Sequence, residues 1–167
     1  MTSFASTVAL FRPLVDGDRT VVRALVDQEA AGTPYVPVVD YFLRLAFDGR
    51  ADESRAIVAD RGGEVVGLAV FGEVAGAVGT GRMHFVTVSA SARLHAVGLG
   101  LCEAAVADMT SRGDRLVVAE VPDDANLTSG RALLARCGFN EVARVPDYYQ
   151  DGVDLVVLQR TTGVPPV

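Results

Sequence analysis

The chain has 167 residues, half of them hydrophobic, and a formal net charge of -6. It is long enough to bury a sizeable core, and its charge argues against unaided binding to nucleic acid, which needs a basic stripe. All 15 basic residues are Arg, because the sequence contains no Lys, and this excludes Schiff-base aldolases, enzymes that hold pyridoxal phosphate on a lysine and P-loop NTPases.

A short strand is expected around Val8 to Arg12, followed by a turn. Asp18 then stands where a helix cap belongs, and Val21, Val22, Leu25 and Val26 share one face of the helix that follows. A second helix is predicted from about Pro37 to Gly49. "SRAIVADRGGEVVGLAVFG" reads as a hairpin that turns at Arg61 to Gly63. "EVAGAVGTG" is a connection, and "RMHFVTVSA" is another strand, rich in β-branched and aromatic residues.

Next comes "LHAVGLGLCEAA", in which Gly98 and Gly100 precede a helix reaching about Arg112. Bare backbone at a helix mouth suits an anion held by unpaired N–H groups, and it also suits a tight turn. The pair alone does not choose between these readings. The third glycine of a dinucleotide fingerprint is missing, since Glu103 stands there. "DRLVVAEV" reads as a buried strand, and "NLTSGRALLARCGF" as a helix closed by Gly138. "EVARVP" and "DLVVLQR" are the last strands, with "DYYQDGV" as the loop between them. Cys102 and Cys137 lack metal-ligand spacing and read as core residues of a reducing compartment, and no metal site is expected. With no visible leader or membrane-spanning run, a soluble cytoplasmic protein is expected.

The element order is β-α-α-β-β-β-α-β-α-β-β, an α/β (α+β) arrangement with a mixed sheet. One domain is expected over residues 1–160, and a flexible tail over 161–167. From Val66 to Arg160 the order of "VVGLAVFG", "MHFVTVSASARLHAVGLGLCEAA", "LVVAEVPDDAN" and "RALLARCGFNEVARVPDYYQDGVDLVVLQR" resembles the GCN5-related N-acetyltransferases, the GNAT superfamily. The resemblance implies a mostly antiparallel seven-stranded sheet flanked by about four helices.

It also implies a use for the glycines. The family motif Q/R-x-x-G-x-G/A maps onto His95, Ala96, Val97, Gly98, Leu99 and Gly100, whose backbone would take the pyrophosphate of acetyl-CoA. Stacked N–H donors and the helix dipole suit such an anion without any lysine. Arg93 or Arg131 would assist through forked hydrogen bonds. His95 replaces the usual Gln or Arg, and Val97 the frequent Arg or Lys, so side-chain donors are lost while the backbone cradle stays. The pantetheine arm would pair with the strand Phe85 to Ser89, through the backbone of Val86 and Val88. Asn126 either caps the following helix or binds the cofactor.

Direct acyl transfer to a primary amine needs a base, a polarised carbonyl and a stabilised thiolate. Glu120 ends an apolar run and is the candidate base, its pKa raised by burial. The family often has Tyr four residues before the glycine of "GF", but here that position is Leu134. Tyr148, Tyr149, Ser129 and Thr128 are the nearby polar groups, with Tyr148 and Tyr149 the preferred acids. His84 and His95 titrate in the right range, yet read better as packed or solvent-facing rings. Tyr35, Tyr41, Phe42, Glu73, Tyr148 and Asp151 are candidates for the acceptor pocket. The partners implied are acetyl-CoA and an amine of a small molecule or peptide, with no nucleic acid or membrane; the oligomeric state is open, a homodimer included. The competing reading is a non-catalytic acyl-CoA-binding or regulatory domain of the same fold.

Overall fold

A computed structural model describes residues 8–165, apart from the side chains of Leu94 and His95. Seven strands form one sheet: β1 (Leu10–Pro13), β2 (Arg55–Arg61), β3 (Glu64–Glu73), β4 (Thr80–Val88), β5 (Leu116–Pro122), β6 (Asn140–Gln150) and β7 (Val153–Thr161). Their spatial order is β1-β2-β3-β4-β5-β7-β6. Every neighbouring pair is antiparallel except β4 and β5. A parallel pair needs a crossover, which the long helix α3 (Val97–Ser111) supplies.

Alternation along the strands feeds two cores. Val58, Leu68, Val70 and Phe85 face α1 (Arg19–Ala30) and α2 (Val36–Phe47). Ala59, Ala69, Met83, Val86 and Ala119 face α3, together with Leu134 of α4 (Thr128–Arg136). The α3 stripe of Leu101, Cys102, Ala105, Val106 and Met109 is buried as its periodicity predicts. Among the described residues no helix is long and apolar enough to cross a membrane.

Two local expectations change. Asp18 does not cap α1 with its side chain; its carboxylate accepts from both Arg12 Nη atoms at 2.8 and 3.0 Å and from the Val15 N–H. Tyr148 and Tyr149 belong to β6, not to a loop. That strand crosses an irregular stretch between Val145 and Gln150, with Asp147 at a φ of 53°. Asp154 Oδ1 takes the Asp147 N–H and Asp147 Oδ1 takes the Gly152 N–H, so side chains replace missing ladder bonds. Pro146 is tolerated because β6 is an edge strand. At the C-terminal end Thr161 closes β7 and the Thr162 N–H donates to the Arg115 carbonyl.

Candidate active site

The site is a fork in the sheet. β4 and β5 are paired only from Thr80↔Leu116 to Met83↔Ala119. Beyond that register β4 pairs only with β3, and β5 only with β7. A bulge where Val70 and Phe71 oppose Phe85 and Met83 leaves His84 as the extra residue, at the crotch of the fork. The opening holds a cavity of about 490 Å³, walled by β4 from Met83 to Thr87, by Val121 and Pro122, and by α4 at Gly130, Arg131 and Leu134.

A second cavity of about 700 Å³ continues past Val86 and Val88 to the start of α3, where Arg93, Ala96, Gly98 and Leu99 line it. Ala96 adopts a left-handed φ of 56° and starts the helix without a side-chain cap. The Gly100 N–H donates to the Ala96 carbonyl at 3.1 Å. The first-turn amides of Val97, Gly98 and Leu99 have no acceptor among the described residues, as expected of a helix N-terminus. Gly98 and Leu99, at the positive end of this 15-residue helix, line the cavity.

The glycines have packing reasons of their own. A Cβ at Gly100 would stand 2.4 Å from Phe11 Cζ. One at Gly98 would meet both Leu133 methyls and Val88 Cγ2 at 3.0 to 3.1 Å. Gly100 is thus bare because β1 crosses the helix there, and its amide is spent inside the helix.

Of the other candidates, Arg93 is ion-paired with Glu29 and Arg131 with Asp123. Asn126 lines the fork but does not cap α4, which starts after Leu127 without a side-chain cap; its N–H donates to Asp124 Oδ1 at 2.8 Å in the turn before the helix. Val97 is packed in the core, and the His95 side chain lies outside the described residues. Arg136 went unnoticed in the sequence, although it shares a helical face with Ser129 and Leu133 toward the outer cavity. Among the described residues it has no ion-pair partner.

At the crotch the structure brings Glu120 and Tyr149 near each other and adds Arg82, which sequence reasoning missed. Arg82 interrupts an apolar strand, the one signal that marked it. Glu120, one residue past the last paired register, is more than a third exposed rather than buried, and Arg82 Nη2 meets its Oε1 at 3.1 Å. Tyr149 packs edge-on to Tyr35 and to Tyr148, with centroids 6.5 and 5.0 Å away. Burial, and then the charge of Glu120, push the Tyr149 phenol up to about 12. Tyr148 is exposed. Tyr35 is buried and donates its hydroxyl proton to the His84 carbonyl at 2.5 Å. Burial raises its phenol above the ordinary range.

His84 is a packed ring, stacked on Phe42 with centroids 3.4 Å apart. Burial and then the Arg82 charge lower its pKa to about 3, which leaves it neutral. Cys102 and Cys137 are both buried, and Arg160 Nη1 lies 3.1 Å from Cys137 Sγ. Of the acceptor-pocket candidates, Tyr35 lines the fork, while Tyr41, Phe42 and Glu73 line a separate groove. Tyr148 and Asp151 line neither.

The profile of the acetyltransferase (GNAT) family matches residues 21–139. No curated protein matches the chain in sequence. Among solved structures, a chain from Desulfovibrio desulfuricans assigned to the GNAT family of acetyltransferases superposes with a TM-score of 0.78 at 24% identity, covering 92% of this chain and 98% of that one. A ribosomal-protein-alanine N-acetyltransferase from Brucella melitensis gives 0.72 at 20% identity, covering 92% and 99%. A Bacillus subtilis acetyltransferase in complex with CoA gives 0.70 at 16% identity, covering 92% and 99%.

Proposed function

The chain belongs to the acetyltransferase (GNAT) family, and from that premise we propose that it transfers an acetyl group from acetyl-CoA to a primary amine. The observation that carries the reading is the fork: a gap between β4 and β5 whose cavity shares the walls of Val86 and Gly130 with a second one at the start of α3, where the first-turn amides have no acceptor among the described residues. The N–H groups of Val97, Gly98 and Leu99 would hold the diphosphate, with Arg136 and Arg93 beside it. The parted backbone at Val86 and Val88 would carry the pantetheine arm. The thioester supplies the acyl group, and the chain's residues do the rest.

Glu120 is placed to take the amine's proton, directly or through one water, and Arg82 holds its carboxylate at the crotch. Tyr149 keeps its proton at neutral pH and so stays a donor for a departing thiolate. Acetyl-CoA should bind by calorimetry, and an amine panel should release CoA thiol. Glu120→Gln should slow that release by about a hundredfold or more while cofactor affinity holds.

A second reading has one observation in its favour. Leu134, buried at 2% exposure on the fork wall, stands where the resemblance implies a phenol. On that reading the chain binds an acyl-CoA without transfer, and acetyl-CoA would raise the melting temperature with no thiol released from any amine.

A further inference from the structure

The residue at the crotch of the fork is also a wall of a second space. His84 lines both the fork and a groove of about 1880 Å³ that passes α2, the β3–β4 connection and the end of α3. One side of the groove is aromatic, with Tyr41 47% exposed beside Phe42. Its arginines are committed, Arg82 to Glu120 and Arg112 to Asp108 at 3.6 Å. Asp52 and Asp114 line it with no ion-pair partner among the described residues. The charge left over is negative.

Surface acids alone would not make a site. The second observation is where unsatisfied polar atoms collect. Five buried side-chain atoms lack a hydrogen-bond partner among the described residues. Three of them, Arg82 Nε, His84 Nε2 and Asp114 Oδ2, belong to residues lining this one groove. His84 and Asp114 are only 4% and 5% exposed. A buried orphan of this kind is destabilising, and a ligand that supplies its partner relieves part of that.

The chemistry of the orphans is specific. Nε2 of the neutral His84 ring is left without a partner. Asp114 Oδ2 only accepts when ionised. It lies beside Gly81, 2.7 Å from where a Cβ would be. His84 is three residues further along β4, a rise of about 10 Å. One end of the groove thus has an unpartnered imidazole nitrogen beside the thioester gap, and the other a carboxylate with no ion-pair partner among the described residues.

We infer that this groove receives the acceptor, and that the acceptor is a diamine or polyamine whose second ammonium sits against Asp114 and Asp52. The inference deepens the transfer reading and rests on it for which amine is acylated. Binding itself is measurable without turnover.

The test is calorimetric titration of butylamine, cadaverine and spermidine into protein saturated with CoA. Cadaverine or spermidine should bind at least tenfold more tightly than butylamine, with loss of most of that advantage in Asp114→Asn and in Asp52→Asn. Asp52 is exposed, so its variant tests the charge without touching the core. Equal affinities for the three amines, no amine binding, or an undiminished preference in Asp52→Asn would overturn the inference. Charge-dependent binding without CoA thiol release would leave it standing and remove the transfer reading instead.

Discussion

Acidification from neutrality to about pH 5 destabilises the fold through His84. The ring is stacked on Phe42 and 4% exposed, and its pKa is held down to about 3, first by burial and then by Arg82. In the unfolded chain the same imidazole takes a proton near 6.5. The unfolded state therefore binds a proton that the native state refuses. Stability is full above about 6.5 and falls continuously down to about 3. At about 1.36 kcal/mol for each pH unit, the loss by pH 5 is about 2 kcal/mol, a large part of ordinary stability. Urea unfolding at both pH values should show this loss in the native sequence but not in His84→Phe, which keeps the stack and does not titrate. The sequence has only two histidines, so a proton NMR titration should show one imidazole unmoved down to about pH 5. Equal acid losses in the two proteins, or two imidazoles titrating near 6.5, would refute the reasoning.

Gly100→Ala should cost about 1 kcal/mol in urea unfolding. Overpacking against Phe11, 2.4 Å from the new Cβ, costs about 1–3 kcal/mol, and helix propensity returns about 1. In a Phe11→Ala background the same change should stabilise, and a lost acetyl-CoA affinity with unchanged stability would contradict the packing account. Asp18→Asn removes the charge that Arg12 grips at 2.8 Å in a site where Asp18 is 5% exposed. Because Arg12 keeps Asp60 at 3.2 Å, the loss should be about 2 kcal/mol, less than for a fully buried pair. That is a fall of about 4–8 °C in melting temperature by calorimetry, and an unchanged transition would show that Asp60 alone suffices.

The order of elements was legible because its punctuation has local causes. Gly62 and Gly63 turn the β2–β3 hairpin at φ values of 68° and 91°, and Gly138 ends α4 at 85°. These are conformations that side chains resist, so glycine marks them in the sequence. The apolar stripe of α3 was equally plain. Tyr148 and Tyr149 misled because Pro146 and Asp147 look like a turn. What keeps β6 going is Asp154, a residue of the neighbouring strand, whose carboxylate takes the Asp147 N–H. Asp18 misled for the same kind of reason. It stands where a cap belongs, and its partner Arg12 reaches it from β1.

The glycine pair carries the harder lesson about the site. Both positions are bare because something packs on them: Phe11 on Gly100, and Leu133 with Val88 on Gly98. On the proposed reading the diphosphate is held by the amides of Val97, Gly98 and Leu99, which any helix start exposes. Glycine therefore signals how closely β1, β4 and α4 crowd the helix, and only through that crowding the place where a cofactor fits. On the same reading His95 and Val97 are free to depart from the family motif, since the proposed donors belong to the main chain. The fork is less legible still. It consists of β4 and β5 ceasing to pair after Met83 and Ala119, and no apolar residue in either strand announces that. Only the Arg82–Glu120 pair, two charges in apolar strands, marks the register where the sheet opens.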